Sequence, residues 1–507
     1  MASMSLAMAR ATSTSTRSSR RVAIVATLLG IASSTVCALG SWVPSLWGDE
    51  ATSVLSAERP VGSLFWMLGR VDAVHGTYYL LLHFWVGTFG SSPFAVRFPS
   101  AVAVGIAVAG IVVLGTRLAG FRTGVFAGLV GLVLPRLTYA GEEARGYAFS
   151  AALAVWVTIA LVTLIQNRGA KKRYWVAYAV GIALCAYVFL FSLLILPVYA
   201  IIVLSSRRPG LLRTWARYTG IGLAAALPII IFGFFQRSQI SFLTDRNAAT
   251  FRSVFVDQWF GTPLCAAVSW AGVLAVITLA IVSRVRSRRL VPTEPNPTPD
   301  IVVVGATWML VPAVILLTVN FVDPIYSSRY LTFAAPAAAL LLGALLGRIR
   351  PIALAAVLVG AFLVIAFPAY QSQRTPYAKN SSDWANVAAV IKAHASRGDA
   401  MLFDEGINPS KRPRLGMRVY PAAYAGLVDV ALETPWWKTD YWSDSTYPLS
   451  QVSHRLDGIS TVWLTEYRTP GSSRADTYDL ATLASLGYHT VAIWELHSNV
   501  VLELHRP

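Results

Sequence analysis

The sequence predicts a polytopic α-helical membrane protein with a C-terminal α/β domain, and three observations predict it. First, 55% of its 507 residues are hydrophobic and only 13% are charged. A soluble domain carries about a quarter charged residues, so this chain has too few to coat a soluble particle. Second, apolar runs close to the spanning length of roughly 20 residues recur through the first two thirds. Third, the pattern changes after residue 370 to short, alternating helix-like and strand-like stretches.

The elements follow in order. Residues 1–21 are rich in Ser, Thr and Arg and read as a disordered cytoplasmic tail ending in Arg20-Arg21. The apolar run 22–43 exceeds a signal-peptide core and reads as an uncleaved first span. Further runs lie near 94–116, 123–140, 147–166, 174–189, 190–205, 217–236, 255–283, 301–321, 330–347 and 351–370, making about eleven spans within a domain 22–370. The stretch 77–90 is short and aromatic, as interfacial helices are. Laid in the interface, it leaves every large basic cluster on one side, from Arg20/Arg21 through Arg117/Arg122, Arg168–Arg173, Arg207–Arg217 and Arg284–Arg289 to Arg348/Arg350. The positive-inside rule makes that side cytoplasmic.

The outward side then receives a loop 44–93, the Glu142-Glu143 turn, the loop 237–254, the Asp323–Arg329 turn and the tail 371–507. In the tail, 383–395 and 480–486 read as helices, and 400–403, 461–464, 490–494 and 500–504 as strands. The segment 433–447 carries Trp436, Trp437, Tyr441 and Trp442, suited equally to stacking on sugars and to a belt at the bilayer surface.

The formal charge of +17 does not imply nucleic acid, because the basic residues sit in loops between apolar runs. Cys37, Cys185 and Cys265 have neither zinc-site nor disulfide spacing. There is no inverted repeat of hydropathy, and ionisable residues are few near the middles of the runs. Both features disfavour a transporter or lipid flippase, the rival class. A non-catalytic scaffold binding cell-wall glycan is the other rival, disfavoured by paired outward-facing carboxylates.

The strongest local signal is Trp47-Gly48-Asp49-Glu50-Ala51, two adjacent carboxylates just past the first span. A carboxylate there can deprotonate a hydroxyl or hold a cation. The same pair also fits plain capping of a helix start. On the same face follow Asp72-Ala73-Val74-His75-Gly76-Thr77-Tyr78-Tyr79, Arg97-Phe98-Pro99-Ser100 and Glu142-Glu143-Ala144-Arg145-Gly146-Tyr147. Taken singly, His75 reads as a loop histidine and Glu142–Arg145 as a charged turn capping the next helix.

In order, these motifs and Ser328-Arg329-Tyr330-Leu331 resemble the GT-C superfamily, nearest to glycosyltransferase family 39. That family includes the protein O-mannosyltransferases and the aminoarabinose transferases that modify lipid A. The resemblance covers roughly residues 20–350. It departs where Gly76-Thr77 follow His75, since related bacterial sequences often have Pro-Pro there.

The resemblance implies a single inverting displacement on a polyprenyl-phosphate sugar. It makes Asp49 the general base and gives Glu50 a place in the catalytic site, orienting the base or binding sugar hydroxyls. Glu142 or Glu143 binds sugar or acceptor, with His75 and Tyr78 among the substrate contacts. The leaving phosphate needs cationic donors, for which arginine's fork is suited. The candidates are Arg329 with its neighbour Tyr330, then Arg145, then Arg246 and Arg252 in a loop that reads as a lid. Snorkelling at the interface is the plain alternative for Arg329.

No cofactor is expected and no metal, although Asp49, Glu50 and His75 include ligand types. The Ala/Val/Arg-rich composition suggests a GC-rich bacterium, which places the protein in a bacterial plasma membrane with its site and tail extracytoplasmic. Mannose is the first expectation for the sugar and arabinofuranose the alternative, with a glycan, lipoglycan or protein as acceptor.

Overall fold

The computed structural model describes residues 2–246, 248–288, 298–468 and 479–507. It divides into two compact units. One comprises Met1–Leu39 with Phe98–Gln371, the other Gly40–Arg97 with Ser372–Pro507. The grouping changes between Gln371 and Ser372, and residues 40–97, which include the loop 44–93, group with the tail and not with the helices. Sequence order concealed this, because the two parts of the second unit are separated by the whole of the first.

The first unit is helical. Among the described residues eight helices are long and apolar enough to cross a membrane, nine if the pair Phe121–Val133 and Pro135–Gly141, bent by 58° at its break, counts as one span. Pro135 causes that break, since it cannot donate to the preceding turn. The expected run 174–189 is the helix Lys172–Val188, about 26 Å long at 1.5 Å per residue. The run 190–205 is a 3₁₀ turn followed by the helix Leu196–Ser205. The first helix is continuous over Ala2–Ala38, so it occupies residues for which an unstructured tail is expected; its apolar part is Ser19–Ala38.

Contacts within this unit define two ends. At one, Arg21 lies 4.4 Å over the Phe121 ring, and Arg122 donates to the carbonyls of Ile349 and, at 3.3 Å, Arg350. There too Arg208 donates to the carbonyls of Ile165 (3.2 Å) and Arg168 (3.0 Å), and Arg284 pairs with Asp300 at 2.7 Å. The basic clusters thus cap helix carbonyls at a shared end, where cations oppose the helix dipoles favourably.

At the other end Tyr370 donates to the carbonyl of Val36, and Phe189 packs edge-on against Tyr147. Lys172–Val188 and Leu190–Ser205 therefore run from one end to the other although both are short. Small residues permit close crossings: a Cβ on Gly105 would lie 2.4 Å from the Gly30 carbonyl oxygen.

The second unit contains a mixed sheet. Its strands, in chain order with a small hairpin, are β1 (Ala400–Phe403), β2 (Val428–Asp429), β3 (Leu432–Thr434), β4 (Ser445–Thr446), β5 (Thr461–Tyr467), β6 (His489–Glu495) and β7 (Asn499–His505). The sheet order is β2-β1-β5-β7-β6, with β3 and β4 paired separately. β1 runs parallel to β2 and β5; β7 is antiparallel to β5 and β6.

The period-two pattern explains the burial of both faces. Ala400, Leu402, Val462, Leu464, Val500 and Leu502 enter one core. Met401, Phe403, Trp463 and Val501 face the helix Trp384–His394 through Val387 and Ile391. Asp383 ties the β6–β7 turn to that helix, accepting from the backbone N–H groups of Ser498 (2.6 Å) and Asn499 (3.1 Å).

Candidate active site

In the second unit the helix Gly48–Glu58 presents both carboxylates in its first turn, behind an extended Trp47. The N-cap is Trp47 and makes no side-chain cap, so neither acid is the capping residue. Asp49 is partly exposed and sits where the helix dipole favours an anion. Gly48 is required by close approach, because a Cβ there would lie 2.0 Å from the Ser410 carbonyl oxygen.

Glu50 differs. It is fully buried and forms a two-pronged pair with Arg97, Nε to Oε1 at 2.7 Å and Nη2 to Oε2 at 2.5 Å. Arg97 spends its remaining N–H groups on the carbonyls of Ser41 (2.6 Å), Pro44 (2.8 Å) and Ser45 (3.2 Å). Of the two roles expected for Glu50, orienting the base or binding sugar hydroxyls, this geometry fits the first. Both its oxygens are consumed in bracing the turn 41–45 against the helix that carries Asp49, so Glu50 is a positioning residue.

His75 ends a 3₁₀ turn and starts the helix Gly76–Phe89, with its ring 5.9 Å from that of Tyr79. Tyr79, not Tyr78, bonds the nearby acid: its hydroxyl donates to Asp72 Oδ2 at 2.9 Å, and Asp72 holds a left-handed φ of 57°. Tyr78 is buried. The aromatic tail segment is clipped onto this part of the unit. Trp436 Nε1 donates to the Leu55 carbonyl at 3.1 Å, Arg59 to that of Thr439 at 2.9 Å, and Ser63 to that of Trp437 at 2.6 Å. Trp442 is buried, whereas Trp437 and Tyr441 stay exposed.

In the first unit the charged residues gather at the end opposite the basic loops. Glu142, Glu143 and Arg145 are all buried in the turn after Pro135–Gly141. Arg329 Nη1 donates to Glu143 Oε1 at 3.1 Å, and its guanidinium lies 5.7 Å from the Tyr147 ring. Tyr330 stacks on Phe191 with ring centres 4.7 Å apart. The structure therefore brings together Glu143, Arg329 and Tyr147, three residues from two distant motifs.

It adds Arg136, which sequence reasoning missed. Arg136 is buried, donates through Nε to the Gln258 carbonyl at 3.0 Å and through Nη2 to that of Asp257, and feels the charges of Glu143 and Arg329. The signal was present, since Arg136 is a lone charge inside the apolar run 123–140. Gln258 and Tyr326 join the cluster without any motif: the Tyr326 hydroxyl donates to Gln258 Oε1 at 2.7 Å.

Arg252 is largely exposed and paired with Asp257 at 3.6 Å, away from any buried partner. The Arg246 side chain lies outside the described residues. Among the described residues no group of three or more His, Cys, Asp and Glu is arranged to hold a metal. Three arginines (Arg136, Arg145, Arg329) face two glutamates (Glu142, Glu143) at this end. An excess of cationic forks in an apolar, low-dielectric setting suits the binding of an anionic group such as a phosphate.

No family model and no curated protein matches the chain. Solved structures do. ArnT from Cupriavidus metallidurans bound to undecaprenyl phosphate aligns over 94% of this chain and 97% of its own, at 14% identity and a TM-score of 0.58. The same protein in the apo state gives 13% identity over the same shares, with a TM-score of 0.57. The mycobacterial arabinofuranosyltransferase AftD aligns over 96% of this chain and 40% of its own at 16% identity, with a TM-score of 0.47, too low to argue from. What these likenesses show is the fold: the chain shares the architecture of ArnT over nearly its whole length.

Proposed function

We propose that this protein is an inverting glycosyltransferase that moves a sugar from a polyprenyl phosphate to an acceptor hydroxyl on the extracytoplasmic face of a bacterial plasma membrane. The observation that carries the proposal is the cluster of buried Glu143, Arg136 and Arg145 with the half-buried Arg329 at the end of the helical unit opposite its basic loops. Burying such charges in an apolar body is costly and marks a site with a task. The shared fold with ArnT, a protein that binds undecaprenyl phosphate, supports a lipid-linked phosphate donor. The basic end is cytoplasmic by charge asymmetry, which puts the cluster outside.

The chemistry is one displacement. The acceptor oxygen bonds to the anomeric carbon as the bond from that carbon to the phosphate oxygen breaks, and the hydroxyl proton passes to Asp49. Negative charge grows on the departing phosphate, where Arg329, with Arg145, stabilises it. Glu50 and Arg97 hold Asp49's helix in place. Arg246 and Arg252 lie on a segment that would cover the donor. His75 and Tyr78 stand beside the acceptor, and Glu142 or Glu143 binds sugar hydroxyls. No metal takes part, and transfer is expected to persist in a chelator. Mannose is the proposed sugar, on the family resemblance alone, and a cell-wall glycan, lipoglycan or protein the acceptor.

The test is transfer by purified protein from polyprenyl-phospho-mannose and polyprenyl-phospho-arabinofuranose, offered separately with a membrane-glycan extract. Asp49→Asn should lose about 10²–10⁴-fold in rate while still binding donor. Arg329→Ala should weaken donor binding. A folded protein that binds neither lipid would return the transporter reading to first place.

A further inference from the structure

Gln258 is fully buried at the edge of the arginine–glutamate cluster, in a position that no motif marks. Its backbone is fixed by Arg136, which donates to its carbonyl at 3.0 Å. Its side-chain Oε1 accepts from the Tyr326 hydroxyl at 2.7 Å, and Tyr326 is anchored in turn by a 2.8 Å bond from its backbone N–H to Asn320 Oδ1. The amide is thereby held in one pose. Its Nε2 group, with two N–H donors, has no partner among the described residues.

The same holds for Glu143 Oε2, whose sister oxygen takes the bond from Arg329. A spare donor and a spare acceptor thus belong to one cluster, the first on the residue bonded by Arg136 and the second on the residue bonded by Arg329, with Arg136 feeling the charges of both Glu143 and Arg329. Buried polar atoms left in this way are destabilising, and they persist where something else completes them.

We infer that Gln258 is a sugar-reading residue of the donor site, its Nε2 donating to a hydroxyl oxygen of the transferred sugar while Glu143 Oε2 accepts from a sugar hydroxyl. This rests on the glycosyltransferase reading above. The cluster's arginines already supply what a phosphate needs. An amide and a carboxylate oxygen in the same cluster supply what a polyol needs, a donor group and an acceptor. Arg136 and Tyr326 are positioning residues that act through Gln258.

The experiment measures binding of two probes, polyprenyl phosphate and polyprenyl-phospho-mannose, to full-length protein in detergent, alongside transfer kinetics. Gln258→Met removes the amide at similar length. It is expected to weaken polyprenyl-phospho-mannose by about 3- to 10-fold, seen in Kd and KM, with kcat within about twofold and polyprenyl phosphate unchanged. Equal weakening of both probes would mean that Gln258 is only structural and would overturn the inference. Unchanged binding of both would overturn it too, leaving the amide to an ordered water. Should Gln258→Met fold poorly because it strands the Tyr326 hydroxyl, Gln258→Met with Tyr326→Phe removes both partners and gives the same readouts. Arg329→Ala separates the two levels of argument: if it leaves polyprenyl phosphate binding intact, the donor-site reading itself fails, whatever Gln258 does.

Discussion

Arg97→Lys tests the bracing role of Glu50. The arginine uses all five of its N–H donors on five oxygens: two of Glu50 and the carbonyls of Ser41, Pro44 and Ser45. Lysine keeps the charge but offers three donors from a single point, so at least two buried acceptors go unmet. Removing a partner from a buried ion pair costs about 3–5 kcal/mol, and the retained charge puts Arg97→Lys at the lower end, about 3 kcal/mol. For a unit of roughly 200 residues each kcal/mol moves the midpoint by about 2–4 °C, giving a fall of roughly 6–12 °C.

The assay follows the temperature at which the tail becomes protease-sensitive, with cleavage sites mapped by mass spectrometry, so that the second unit is read apart from the helices. A midpoint within about 2 °C of wild type would refute the bracing role, being less than 1 kcal/mol. Glu50→Gln completes the argument. It should lose comparable stability yet still transfer sugar in the cold, unlike Asp49→Asn. Abolished transfer at unchanged stability would restore Glu50 to the chemistry.

Two further expectations concern the second unit. Gly48→Ala places a methyl 2.0 Å from the Ser410 carbonyl oxygen and should cost about 1–3 kcal/mol by overpacking, lowering the same tail midpoint. Ala at the exposed Gly62, where no atom lies within 4 Å, is the control and should not lower it. Glu405, paired with Arg414 at 2.5 Å, is nevertheless held above the usual carboxylate range because burial outweighs its arginine partners. A raised pKa in the folded state means that its contribution is greatest in acid and is lost as pH rises through the folded value. Wild-type stability relative to Glu405→Gln should therefore fall as pH rises above about 4, and a rise instead would contradict the assignment.

Local periodicity made much of this fold legible. β1 spans the same residues as the expected strand, 400–403, and each of the other three expected strands lies inside an observed one. Alternation is a property of neighbours in sequence, and β1, β5 and β7 send alternate residues into the two cores while the edge strand β6 stays largely exposed. The apolar runs were equally plain. What escaped was non-local. Glu50 and Arg97 are 47 residues apart, and a carboxylate spent on an arginine looks in sequence like one poised for catalysis. The grouping of 40–97 with 372–507 is the same failure on a larger scale. Arg136 was hidden by averaging, since a run that is apolar overall absorbs one charge without losing its character.

That last case suggests how such chains are better read. Hydropathy finds the helices, but the informative residue is the one the helix can least tolerate. Arg136 follows the Pro135 break directly, so its guanidinium can leave the helix and bind the free carbonyls of Asp257 and Gln258. A proline that breaks a span exposes backbone groups, and a neighbouring arginine is the residue able to satisfy several at once. Pro135 thus makes the bend, and Arg136 ties the new helix start to the neighbouring turn, its backbone N–H donating to the Trp259 carbonyl at 3.2 Å and its side chain to those of Asp257 and Gln258. The bend sets the turn at Glu142–Arg145, where Glu143 meets Arg329. Placed away from a break, the same arginine would have no carbonyls within reach and would only destabilise the span. Its position, one residue after the proline, is what turns an expensive charge into the frame of the proposed donor site.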